Sequence, residues 1–369
     1  MRRDDPETAS GTRAAVSVDT AEHPADPAPP QSDRGSGLAR SNGIRALGAL
    51  ILLIVLGGAV FLSLTVGDTG LPLHLIWDAI FHFDGSTRET VVREDRLGRT
   101  LLGLLVGMSL AVAGALIQAM TRNPLADPGI LGVNAGAALF VAIAVGTLGM
   151  TSFHSYVWFA FLGAVAATVL VYGIGSRGRG GATPIRLTLA GVAVTAVLGG
   201  ITQGMMLLKP ATFEYMAYWN AGTIGIRDSL QISGSMAGFI LVGLLLAALV
   251  SRSLNAVALG DDLAHSLGAD VARTRTLGII AVTLLCGATT AAAGPIGFVG
   301  LMVPHVARWI VGPEQRWILL YTLLGGPVLL LVSDVIGRLL GELQVGIVTA
   351  FIGAPVLIVL VRRRKASGL

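Results

Sequence analysis

Cysteine, lysine and charge are what this 369-residue chain has least of. Its one cysteine, Cys286, sits inside an apolar run, so no intrachain disulfide can form and a cysteine-based metal cluster is disfavoured. Its two lysines, Lys209 and Lys365, follow Leu208 and Arg364. A Walker A loop needs Gly-Lys-Ser/Thr, so the chain carries no such loop, and any ATP-driven step must draw on another chain. Charged residues make up 13% of the chain and hydrophobic ones 53%. An ordinary soluble domain is about 25% charged. The chain therefore reads as an all-α polytopic membrane protein. Its net charge of +4 needs no nucleic acid to explain it, because cytoplasmic loops of membrane proteins are enriched in Arg and Lys.

Residues 1–43 are rich in Pro, Ala, Asp, Ser and Arg and lack apolar periodicity, which predicts a disordered cytoplasmic N-terminal tail. Asp4 and Asp5 follow Arg2 and Arg3, and the first apolar run comes much later, so a cleaved signal peptide is not expected. Residues 44–365 hold ten apolar segments of about membrane-spanning length. They run Ile44–Val66, Leu97–Met120, Ile130–Met150, Tyr156–Ile174, Ile185–Leu208, Ile232–Val250, Thr276–Ala293, Ile296–Val311, Ile318–Ile336 and Val345–Val361. Gly67–Arg96 reads as a polar loop, and a second loop carries Trp219 and Gly222. Ten spans put both termini on one side. With that side cytoplasmic, most of the basic residues fall inside, as the positive-inside bias requires. This topology allows an inverted repeat, with spans two to five antiparallel to spans seven to ten.

The stretch 252–276 is a polar island between two apolar runs. Leu259, Leu263 and Leu267 recur at i, i+4 and i+8 and share one face of a short helix. Gly260, Ala264 and Gly268 run beside them as a strip of small residues, and Asp261 and Asp262 open the helix. Gly268 suits a C′ position, and Asp270 suits the N-cap of a second short helix ending in Arg273 and Arg275. Two readings are open from spacing alone: a docking surface with a leucine ridge, or a solvated loop with incidental helix.

RNPLADPGILGVNAGA at 122–137, with Arg122, Asn123 and Pro124 at its head, resembles the membrane permease subunits of iron-chelate and vitamin B12 ABC importers, the FecCD-like type II importers. The likeness extends through RLGR at 96–99, AVAGALIQ at 111–118, LGDDLAHSLG at 259–268 and GPIGFVGLMVPHVAR at 294–308, which holds Pro304. It closes with DVIGR at 334–338 and GIVTAFIGAP at 346–355, which holds Gly353 and Pro355. Gly98 and Gln344 stand where the family has proline.

The resemblance implies a ten-helix subunit paired with a second copy or a sister permease. Two cytoplasmic ABC ATPase subunits would bind the ATP, so no cofactor is expected on this chain, and no catalytic or metal-binding residue either. An extracytoplasmic substrate-binding protein would deliver the chelate. The island, from Leu259 to Gly268, would be the ATPase-coupling loop. Arg96, Arg99 and Arg338 would receive acidic residues of the binding protein, as an exposed basic pair would steer an acidic partner. From the residues alone, Arg96 and Arg99 could equally snorkel at the membrane edge.

His305 has no Cys, Asp or Glu at ligand spacing and reads as a packed histidine. Asp334 and Arg338 lie four apart and can pair along a helix. Trp219 reads as an interface residue or a lipid-belt anchor. An ion-coupled secondary transporter would need ionisable groups at mid-membrane, and the spans hold few. The expected role is passage of a ferric siderophore, with haem and cobalamin as alternative cargoes.

Overall fold

The computed structural model describes residues 38–366, apart from 40, 68–72, 83, 87–88, 91, 151, 178–182 and 227. The tail expected at 1–43 falls outside these residues up to 37. Its last residues are ordered: Leu38 and Ala39 donate their N–H groups to the carbonyls of Trp309 and Ile310, and Ala39 is buried.

Thirteen α-helices and no strand are found among the described residues. They are α1 (Asn42–Thr65), α2 (Leu73–Phe81), α3 (Gly98–Thr121), α4 (Val133–Gly146), α5 (Phe153–Gly175), α6 (Pro184–Leu208) and α7 (Pro210–Asn220). The chain continues through α8 (Ser229–Ala258), α9 (Asp261–Ser266), α10 (Val271–Ala293), α11 (Val299–Val311), α12 (Gln315–Leu339) and α13 (Val345–Ala366). A π-helical turn, Val92–Leu97, leads into α3, and a 3-10 turn, Pro128–Leu131, leads into α4.

Seven helices are long and apolar enough to cross a membrane, and three further apolar helices are shorter: Val133–Gly146, Val299–Val311 and Val345–Val359. All ten apolar segments of the sequence are therefore helical. At 14 and 13 residues, α4 and α11 reach only about 20 Å, short of a hydrocarbon core of about 30 Å. Proline breaks shorten both, at Pro124 and Pro128 before α4 and at Pro295 before α11. Helix lengths repeat in order: 24, 14, 23 and 25 residues for α3 to α6, then 23, 13, 25 and 22 for α10 to α13. Helix α3 runs toward the 252–276 island and α10 runs away from it, so the two series are antiparallel, as an inverted repeat requires.

Helix α3 is the centre of the bundle, with every residue from Ser109 to Met120 buried. Small residues let its neighbours come close. A Cβ on Gly107 would lie 2.6 Å from Pro327 of α12, and one on Gly114 would collide with the backbone of Gly300 in α11. The periphery is apolar outward: α1 buries only Ala59 and Ser63 and presents Leu47, Leu50, Ile51 and Ile54 to its surroundings. In water such a face would be costly; against lipid it is the expected surface.

Two expected loops are partly helical. Gly67–Arg96 contains α2 and the π-helical turn, joined by Ile76, Ala79 and Val92. At nine residues, α2 is too short to stand out from sequence periodicity. The Trp219 loop is α7, with Trp219 4% exposed. Trp219 is thus neither a lipid-belt anchor nor an exposed interface residue: its carbonyl abuts Gly294 inside the fold.

Candidate functional site

Two places gather the residues singled out by the sequence, one at each end of the bundle. The first is the island. Helix α8, 30 residues long, runs roughly 45 Å and so extends past a membrane core by several turns. Gly260, at φ +117°, turns the chain into α9. That helix closes on Gly268, at φ +77°: the N–H of Gly268 bonds to the His265 carbonyl and that of Ala269 to the Ala264 carbonyl. This pairing is a Schellman motif, which needs a left-handed residue at C′. Asp270 then accepts a hydrogen bond from the Arg273 N–H at 2.9 Å and caps the next helix.

Four details differ from the sequence reading. Asp270 caps α10 itself, which runs unbroken to Ala293, so there is no separate second short helix. Ala264 is fully buried against Val257 and Val271 and holds α9 to the bundle, so it does not belong to an open strip. Arg122, expected as part of a structural motif, reaches the island. Asp261 Oδ1 accepts from Arg275 Nη2 at 2.9 Å and from Arg122 Nη2 at 3.4 Å. One carboxylate on α9 therefore touches the end of α3 and the start of α10. Leu259, Leu263 and Leu267 are exposed at 62%, 57% and 66%, but they do not share one helix as the spacing predicts: Leu259 caps α8, Gly260 breaks the chain after it, and only Leu263 lies within α9. Asp262 lies exposed beside Leu263.

The Arg122–Pro124 segment is built to end α3. Arg122 takes the left-handed conformation at φ +52°, and Asn123 Oδ1 accepts from the Leu125 N–H at 3.0 Å. Pro124 then faces Phe298, Met302 and Gly353 across a narrow cleft. A side chain at Gly353 would strike the Phe298 ring. Pro304 is buried within α11. Pro355 lines an open groove of 550 Å³ with Asn220, Pro295 and Phe351. His305 packs edge-on against Trp309, with ring centroids 4.8 Å apart.

The second place is the far end of α1, α3 and α12, where Arg96, Arg99 and Arg338 converge. The expected exposed basic pair is not exposed. Arg96 is buried, and its Nη1 donates to the carbonyls of Leu64 and Thr65 at 3.1 and 3.2 Å. Arg99 Nη2 lies 2.9 Å from Asp334 Oδ1, and its Nη1 lies 3.3 Å from Glu342 Oε2. Arg338 Nη2 lies 3.0 Å from Asp334 Oδ2, the helical pair that the spacing suggested. Arg338 also donates to the carbonyls of Ser63 and Val66. Ser63 Oγ in turn lies 2.8 Å from Thr100 Oγ1.

Asp334 is 1% exposed and would be costly unpaired; two guanidinium groups compensate it. The cluster ties α1, α3 and α12 together. Sequence spacing revealed the Asp334–Arg338 pair but gave no sign that Arg99, far away in the chain, completes it. Gly98, the departure from the family's proline, is explained by packing: a Cβ there would lie 2.8 Å from the Leu230 backbone nitrogen and collide with Ser229 Oγ.

The profile of the FecCD transport family matches residues 51–363. The ferric enterobactin transport system permease protein FepD of Escherichia coli K12 is 47% identical over 333 residues, covering 90% of this chain and 98% of that protein. The iron(3+)-hydroxamate import system permease protein FhuB of Bacillus subtilis 168 is 38% identical, covering 87% and 85%. The cobalamin import system permease protein BtuC of Halobacterium salinarum is 37% identical, covering 77% and 76%. Among solved structures, an inward-facing metal-chelate type ABC transporter superposes with a TM-score of 0.75 at 27% identity, covering 88% of this chain and all of that one.

Proposed function

The chain belongs to the FecCD transport family, and from that membership we propose that it is the membrane-spanning permease of an ATP-binding cassette importer that carries a ferric siderophore. The observation that carries this reading is the 47% identity to a ferric enterobactin permease along nearly the whole of both chains. The protein spans the membrane many times and does no chemistry of its own. Its work is to offer a path and to change which side that path opens to.

The island end is the cytoplasmic end, so both termini are cytoplasmic and the membrane is the cytoplasmic membrane. The concentration of arginine on that side supports this orientation. Two ABC ATPase subunits bind there, each seated on the Leu259, Leu263 and Leu267 ridge of one permease copy. An apolar ridge suits a partner's groove, because the exposed leucines gain by leaving water. When the ATPases close, the push on α9 passes through Asp261 to Arg122 of α3 and Arg275 of α10. The second half of the path is another copy of this chain or a sister permease.

At the outer end a substrate-binding protein delivers the chelate. Arg96, Arg99 and Arg338 act there from beneath the surface. They fix the ends of α1, α3 and α12 and leave Glu342, half exposed, at the rim. Their burial supports a supporting role for all three in shaping that seat.

Reconstituted uptake tests the proposal. The complex, assembled with its ATPase and binding protein in vesicles, is offered labelled ferric catecholate and hydroxamate siderophores, haem and cobalamin, with and without ATP. ATP-dependent accumulation of a ferric siderophore is the expected result. Accumulation of haem or cobalamin alone would reassign the cargo within the fold. Uptake driven by an ion gradient without ATP would overturn the class.

A further inference from the structure

On the side of the bundle where α8 and α12 meet, a groove of 320 Å³ opens outward, with Val112 of α3 as its floor. Leu244, Ala247, Ala248 and Ser251 of α8 form one wall, and Leu319, Leu320 and Leu323 of α12 the other. The lining is apolar except at one end, where Ser251 of α8 and Arg316 of α12 stand. Arg252 follows Ala248 by one helical turn on α8 and so stands at the same end.

Three observations make this a built site. Both arginines are exposed, and neither forms an ion pair with a described residue. Glu314, the nearest acid in sequence to Arg316, is held by Arg45 at 3.0 Å. The width at this end is set by the Gln315 N–H, which donates to Asn255 Oδ1 at 2.9 Å and ties α12 to α8. Depth agrees as well. Arg252 lies roughly 35 Å along α8 by helical rise, just past a hydrocarbon core of about 30 Å. The groove is thus at acyl-chain depth and the two cations are at headgroup depth. Exposed Leu241, Leu245 and Leu249 on α8 mark that flank as lipid-facing.

We propose that this groove binds an anionic phospholipid, with one acyl chain lying between α8 and α12 and the phosphate held by Arg316 and Arg252. A zwitterionic lipid would bring its own cation beside two arginines, whereas an anionic headgroup answers their charge. The assignment rests on the chain spanning a bilayer and not on the cargo, so a different cargo in the uptake assay would leave it standing.

Native mass spectrometry of the full chain in detergent, with phosphatidylglycerol or phosphatidylcholine added in equal amounts, tests it. The expected result is retention of phosphatidylglycerol over phosphatidylcholine. Arg252→Gln with Arg316→Gln should lower that retention roughly thirtyfold, from about 1 kcal/mol for each membrane-surface arginine. Lysine at both positions should restore most of it. Ala248→Trp fills the groove without changing charge and should abolish retention too. Equal retention of both lipids would overturn the proposal. Loss with the Gln pair but full retention in Ala248→Trp would reduce the effect to surface charge and also overturn it. Competition by glycerol phosphate as effective as by the lipid would assign the arginines to a soluble anion instead. Loss of dimer with Ala248→Trp, in a chain that retains no lipid, would give the groove to a second copy.

Discussion

Arg99 and Asp334 meet across the contact between α3 and α12, with guanidinium Nη2 and carboxylate Oδ1 2.9 Å apart. They stand 235 residues apart in the chain, and Arg338 grips the other carboxylate oxygen at 3.0 Å. One buried acid therefore holds two buried cations. Removing it leaves Arg338 without an acidic partner and Arg99 with only the half-exposed Glu342. Asp334→Ala should cost about 3–5 kcal/mol of stability, the usual penalty for breaking a buried ion pair from one side. Thermal unfolding of the detergent-solubilised protein measures this. Glu342→Gln is the contrast. Its side chain is about half exposed, so its pair with Arg99 should contribute about 0–1 kcal/mol. Equal losses from the two variants would contradict the buried-hub account.

The burial of Arg99 also sets how charge reversal should behave. An exposed steering charge would lose its effect as salt rises, since the Debye length falls from about 30 Å at 0.01 M to about 3 Å at 1 M. Arg99 is 12% exposed in its side chain and already satisfied. Arg99→Glu should therefore lower folded yield and thermal stability to a similar extent at low and high salt. A variant of normal stability whose binding-protein affinity falls only at low salt would return Arg99 to a steering role.

The parts legible in the sequence were those governed by local rules. Ten apolar runs gave ten helices, and the three leucines of the island are exposed, although Gly260 separates Leu259 from the helix of Leu263. Gly268 and Asp270 capped as their types require, and the Asp334–Arg338 spacing gave a pair. What escaped depends on contacts between distant segments. Arginine at a helix start ordinarily meets water or lipid headgroups, so the sequence places Arg99 at the outer surface. Only the approach of α12 brings Asp334 beneath it. Spacing from Gly260 and Gly268 sets Ala264 in a strip of small residues, yet Val257 of α8 and Val271 of α10 bury it. Helix α2 is only nine residues long, and the burial of Trp219 depends on its distant contact with Gly294.

Close packing at the centre of the bundle yields a sharper test than any charge. The backbones of α3 and α11 approach at Gly114 and Gly300 until no side-chain carbon fits between them. Gly114→Leu should separate the two helices and cost about 1–3 kcal/mol or more, because the obstacle is backbone and cannot rotate away. Gly57→Leu serves as control, since nothing lies within 4 Å of its added carbon. Comparable thermal stability of the two variants would mean that α3 and α11 do not meet at this point.

The docking role proposed for the island can be separated from its folding role, because neighbouring residues face opposite ways. Leu263 is 57% exposed and Ala264 is fully buried. Leu263→Asp changes only the ridge, so the permease should fold normally while co-purification of the ATPase drops by about tenfold or more, as for loss of an anchoring side chain worth about 1.5–3 kcal/mol. Ala264→Leu forces a larger side chain between Val257 and Val271 and should unseat α9, lowering stability together with ATPase binding. Asp261→Asn weakens the link to Arg122 and Arg275 but leaves the ridge in place. It should keep the ATPase bound while lowering transport per ATP hydrolysed. Normal ATPase retention in Leu263→Asp would remove the ridge from the interface. Unchanged coupling in Asp261→Asn would show that motion of α9 reaches the bundle through Ala264 packing instead.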